Sequence, residues 1–137
     1  MKTQIRNFVF GTGLAALLWS PLLMAQDRET AEIPFDFHAG QTALPAGTYS
    51  VIRTSYSSVL QLRNEDTRES ILLNSQGFEA AKDEPRLMFH CYAGQCFLAT
   101  IWMPGAAGYT FWKSNQEKEM QRSGAKLAMA YVRFATR

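Results

Sequence analysis

Residues 86–103 read RLMFHCYAGQCFLATIWM, two apolar runs of seven and nine residues around a central Ala93-Gly94. A two-residue turn at that dipeptide predicts a β-hairpin with strands at 86–92 and 95–103. In this register Leu87, Phe89 and Leu98 share one face, while Met88, Phe97 and Ile101 take the other beside His90 and Tyr92. Apolar residues on both faces require a covering on both sides, so the hairpin belongs inside a layered or closed β-structure.

Upstream, period-two alternation continues. Ile33, Phe35 and Phe37 alternate with Pro34, Asp36 and His38, which predicts a half-buried strand kept near a sheet edge by Pro34. Pro45 and Gly47 supply a turn, and further strands follow at 48–54, 59–63 and 70–74, with Tyr49 and Val51 on one face and Leu60 and Leu62 facing inward. The charged segment NEDTRES at 64–70 is a turn, and 76–85 has no clear period and reads as a loop. Downstream, a glycine-rich break at 104–108 precedes a short strand at 109–112. Ser114 with Glu117 three residues later fits a capping box for a short helix over 114–122 ended by Gly124. Met120 is that helix's one inward candidate, so it is expected on the surface. A last strand covers 127–135. The expected fold is all-β: a small antiparallel sandwich or barrel of seven to eight strands with one short surface helix near the C-terminus.

With Tyr92 opposite Gln95, Cys91 falls opposite Cys96 at a position where Cα atoms approach to roughly 4.5 Å and side chains share a face, which suits a disulfide. Competing readings are a buried reduced pair, a redox pair with the wrong spacing, and a metal site recruiting His90 or His38. Because His90 and Cys91 are strand neighbours, they point to opposite faces and do not converge on one ligand.

The first 25 residues, MKTQIRNFVFGTGLAALLWSPLLMA, order a basic start (Lys2, Arg6), an apolar run and a small residue, Ala25, as a cleavable secretory signal does. An uncleaved anchor is the alternative, and Gly11, Gly13 and Pro21 interrupt the run it needs. Residues 26–31 read as a flexible leader and 32–137 as one β-rich domain. Removing Lys2 and Arg6 leaves twelve basic and twelve acidic residues, no net charge, and no basic patch for nucleic acid. The expected location is periplasmic or secreted, without stable membrane insertion after cleavage.

No convergent catalytic constellation stands out, and no metal or cofactor is expected. His90 reads as a semi-buried histidine, and His38 as the exposed neighbour of Asp36. Trp102, Tyr109, Phe111 and Trp112 cluster around the glycine-rich break and are the candidate ligand or partner surface.

The segments IPFDFHAGQTALPAGTYSV (33–51), RLMFHCYAGQCFLATIWMPG (86–105) and KSNQEKEM (113–120) together resemble a family of small exported bacterial β-proteins without assigned function. The resemblance implies an envelope or secreted setting and one β-domain, and carries over no catalytic residue. Cys91 and Cys96 depart from its pattern, so the disulfide would be a local addition. The expected role is a non-enzymatic binding or structural module acting on an unknown protein or envelope ligand. Alternatives are a small barrel carrying an apolar ligand, or a hydrolase using His90 or His38 with a carboxylate such as Asp36.

Overall fold

The computed structural model describes residues 28–136; the signal reading of 1–25 lies outside them. The chain forms β1 (Arg28–Ile33), β2 (Phe37–Ala39), β3 (Thr42–Leu44), β4 (Gly47–Arg53), β5 (Val59–Asn64), β6 (Ser70–Glu79), β7 (Arg86–Tyr92), β8 (Gln95–Trp102), β9 (Gly108–Phe111), α1 (Asn115–Arg122) and β10 (Leu127–Arg133). Among the described residues the fold is all-β with one short helix, as the alternation predicts. Hydrogen-bonded neighbours run β1-β4-β5-β6-β9-β8-β7-β10. The ends meet where Ala135 N–H donates to Thr30 O at 2.7 Å, which gives the sheet a barrel-like path. The hairpin of β2 and β3 lies alongside the lower half of β8.

Among the described residues ten strands stand where seven to eight are expected, and the sheet is mixed because β2 runs parallel to β8. The expected strand at 33–38 breaks at Pro34, whose ring removes a ladder donor, so its two halves join different partners. Within the segment read as a leader, residues 28–31 instead belong to β1, paired along β4 with Ala31 and Ile33 buried. Residues 76–79, read as loop, extend β6 past an irregularity between Ser75 and Gly77 to meet β9.

One turn of the hairpin decides how the sheet faces. Ala93 and Gly94 have φ of 47° and 84°, the pair of positive values that a two-residue hairpin turn of the primed kind requires. Tyr92 pairs with Gln95, His90 with Phe97 and Phe89 with Leu98, but Met88 pairs with Thr100, so Ala99 is an extra residue. A bulge of one residue reverses the facing of everything beyond it. Ile101 consequently lies opposite Leu87 in the core, not beside Met88 as regular alternation predicts.

The core is formed by Ile33, Tyr49, Leu60, Leu62, Leu87 and Phe89, among others, with Phe37 stacked edge-on against both Tyr49 and Phe89. Edge-to-face contact of this kind adds to simple burial. Tyr49 O–H donates to Pro45 O at 2.6 Å, and Asp36 Oδ1 accepts from Ala46 N–H at 2.9 Å, so the Pro-Ala-Gly turn is pinned from both sides. Asn64 Oδ1 accepts from the N–H groups of Asp66 and Thr67, closing the charged turn before β6.

Candidate functional site

Cys91 and Cys96 form the expected disulfide, with Cα atoms 4.0 Å apart. It occupies the core face beside Phe37, whose strand pairs with Cys96. The thiols are thereby spent, and neither serves as a nucleophile or metal ligand.

The opposite, outer face of the same strands carries the chemistry. There Met129 of β10, His90 of β7, Phe97 of β8 and His38 of β2 stand in one cross-strand row. His38 stacks on Phe97 with ring centroids 4.8 Å apart, and Asp36 is engaged with the Ala46 N–H. The suggested pairing of His38 with Asp36 is therefore not formed: the carboxylate turns back to hold its own loop.

His90 finds a different carboxylate. Its Nδ1 lies 3.1 Å from Oε2 of Glu117, and the same oxygen accepts from the Tyr92 hydroxyl at 3.0 Å. The Glu117 side chain is only 4% exposed and that of His90 17%. Ser114 caps α1, its Oγ accepting from Glu117 N–H at 3.1 Å, as the capping box predicts. The Glu117 carboxylate, however, turns inward onto β7. The helix docks through this glutamate and not through Met120, which is only half-buried. Gln121 donates to the Tyr92 hydroxyl and Gln116 to Gln95, so three helix residues hold the hairpin. Burial, followed by the neighbouring Glu117, raises the Tyr92 pKa above its ordinary 10.0, because a phenolate there would face a second negative charge.

A cleft of about 400 Å³ opens beside this cluster. Met88, Thr100 and Thr110 line it, with His90 and Glu117 on the helix side and Lys113 nearby. Thr110 Oγ1 donates to Gly77 O at 3.0 Å. β10, paired with β7, exposes Leu127, Met129 and Tyr131, the last two 52% and 49% exposed. A second hollow of about 440 Å³, lined by Leu44, Pro45, Tyr49, Leu62 and Ile71, lies between β3 and the start of β6.

The four aromatics expected around the glycine-rich break do not share one exposed face, although Phe111 lines the His90 cleft. Tyr109 and Phe111 are buried in the core and Trp102 is 3% exposed, leaving Trp112, at 70%, as the one exposed member of the four. Trp102 lies flat over Gly108, its indole N–H donating to Ala80 O at 3.2 Å. Arg86 sits over both Trp102 and Tyr131, 5.5 and 4.4 Å from the ring centroids. Tyr109 and Phe111, two apart on β9, share the core face, while Trp102 and Trp112 lie off it, which separates the four.

Among the described residues no helix is long and apolar enough to cross a membrane, and no group of three or more His, Cys, Asp and Glu side chains is placed to hold a metal. No protein-family model, curated protein or solved structure matches the chain.

Proposed function

We propose that this chain is an exported, non-enzymatic binding module of the cell envelope or extracellular space, and that it binds through the outer face of β7 and β10. The observation that carries the reading is the row Leu127, Met129 and Tyr131: three large side chains at alternate positions of one strand, all exposed, paired in register with Tyr92, His90 and Met88 of β7. Contiguous exposed apolar surface beside a polar cleft is characteristic of interaction sites. Export is supported by the N-terminal pattern, by the disulfide and by the resemblance to exported β-proteins.

A photo-crosslinking residue placed at Tyr131 and expressed in the native host tests this. Discrete adducts from position 131, absent from a control at Glu69 on the β5 to β6 turn, are expected in the envelope or secreted fraction. Equal labelling at both positions, or protein confined to the cytosol, contradicts the proposal.

A second reading, carriage of an apolar ligand, is favoured by the hollow between β3 and β6. Native mass spectrometry of host-purified protein tests it, and an unliganded mass counts against it. The hydrolase alternative now rests on His90 with Glu117 in place of Asp36. Its check is turnover of ester, peptide and glycan substrates that disappears in His90→Ala.

A further inference from the structure

We propose that the outer face of β7 and β10 holds a soft monovalent metal ion, copper(I) or its redox-inert analogue silver(I), through the Met88 thioether, His90 Nε2 and the Met129 thioether. The inference deepens the binding-module reading and rests on it, because Met129 belongs to the same exposed row. Three structural facts put these residues on one face of neighbouring strands. Met88 and His90, two apart on β7, point to the same side and line the same cleft. Met129 is the direct cross-strand partner of His90 in the β7 to β10 register, a relation that brings Cβ atoms to about 4.5–5.5 Å. Tyr131, the cross-strand partner of Met88, donates its hydroxyl to Met129 Sδ at 3.6 Å, so that sulfur leans toward the Met88 level of the face.

The third ligand is oriented from behind. A carboxylate accepts but does not donate, so the hydrogen bond to Glu117 places the His90 proton on Nδ1 and leaves the Nε2 lone pair free for a metal. A carboxylate behind a histidine in this way is the usual outer-shell support of a metal-ligating imidazole. Thioether sulfur selects copper(I) over zinc, magnesium or calcium, and imidazole tolerates it well. The softer competitor, thiolate, is removed because Cys91 and Cys96 are joined to each other on the opposite face.

The test is silver(I) titration of the protein purified from its host, against a competing chelator, with the methionine methyl resonances followed by NMR. One ion per chain is expected, with the methyl signals of Met88 and Met129 shifting and those of Met103 and Met120 unmoved. Met129→Leu changes an exposed side chain and leaves the fold intact, and it should weaken binding severalfold or more. Glu117→Gln removes the charged support behind His90 without touching a proposed ligand and should weaken binding by about tenfold or more. Because the same carboxylate also accepts from Tyr92, circular dichroism and the unmoved Met103 and Met120 methyl signals check that the fold is kept. Zinc should not compete. Absence of binding, an affinity unchanged in Met129→Leu, or shifts centred on Met103 or Met120 overturns the proposal. If silver does not bind while Tyr131 still crosslinks, the metal site alone falls; if both fail, the binding-module reading falls with it.

Discussion

Glu117, on a helix that begins 23 residues after the end of β7, offers one carboxylate oxygen to His90 Nδ1 at 3.1 Å and to the Tyr92 hydroxyl at 3.0 Å. Burying a carboxylate is unfavourable unless its lone pairs are met, and here the partners come from a different element. The helix has little apolar surface to offer, so polar contacts seat it on the sheet, this one buried and those of Gln116 and Gln121 beside it. Replacing Glu117 by Ala strands a histidine and a tyrosine, and should cost about 2–3 kcal/mol. Glu117→Gln, which keeps one acceptor, should cost less. Urea unfolding of both variants measures this, and equal stability of Glu117→Ala and the parent would show that the helix is held by something else.

Gly108 is required by the indole above it. A Cβ built there would lie 2.3 Å from Trp102 Nε1 and 2.6 Å from Cδ1. Trp102 cannot slide away freely, because its N–H is bonded to Ala80 O and Arg86 covers its ring. Gly108→Ala should therefore destabilise by about 1–3 kcal/mol, the usual range for overpacking. It should also red-shift the tryptophan emission as the indole moves toward solvent. A lowered melting temperature without any spectral change would place the damage elsewhere.

What the sequence disclosed follows from which interactions are local. The hairpin was legible because its turn and its alternation lie within eighteen consecutive residues. The bulge at Ala99 was not, since no residue type marks it; it appears only in the pairing of β8 against β7, and it moves Ile101 to the core. Residues 28–31 look like a polar leader because just one face of β1 is buried, and Ala31 on that face is too small to signal it. The Ser114 cap was visible, yet the burial of Glu117 was hidden because it depends on docking against β7. Trp102, Tyr109, Phe111 and Trp112 misled through proximity in the chain: Tyr109 and Phe111 share the core face, while Trp102 and Trp112 lie off it.

Ala93 carries a left-handed backbone, φ 47°, at the first central position of the hairpin turn. Ala is disfavoured there by its Cβ, whereas Gly has none and the short polar side chain of Asn offsets the cost by local hydrogen bonding. Ala93→Asn, giving Asn-Gly, should stabilise the fold by about 1 kcal/mol. The hairpin register and the Cys91–Cys96 disulfide should be unchanged. Thermal unfolding under non-reducing conditions reads the gain, and a loss of stability would mean that the turn does not adopt this geometry in solution.

Glu65 accepts from the buried Ser50 hydroxyl and from the Arg28 guanidinium, tying the turn after β5 to β1. The Ser50 hydrogen bond first, and Arg28 after it, hold its pKa below the ordinary 4.5. For an acid lowered on folding, the contribution is complete above the unfolded value and disappears as pH falls through the folded one. Stability should accordingly decline below pH 4.5 partly through this group. In Ser50→Ala that part of the decline should be smaller, and an acid limb of unchanged slope would exclude Glu65 as its source.

At alkaline pH the sign is reversed. Burial raises the pKa of Tyr49, and burial together with Glu117 raises that of Tyr92, both from 10.0. The folded state thus favours the neutral phenol more than the unfolded state does. Stability from these two groups is intact below pH 10 and is lost progressively as pH climbs above 10 toward the folded values. The diagnostic quantity is the difference between the parent and Tyr92→Phe. That variant lowers stability at pH 8 by removing a hydrogen bond to Glu117, and then loses less than the parent between pH 10 and 11.5 because it has no phenol there to ionise. Urea midpoints across this interval should converge for the two proteins. Parallel curves would show that the Tyr92 hydroxyl is not buried against Glu117, and would remove the helix-docking contact with it.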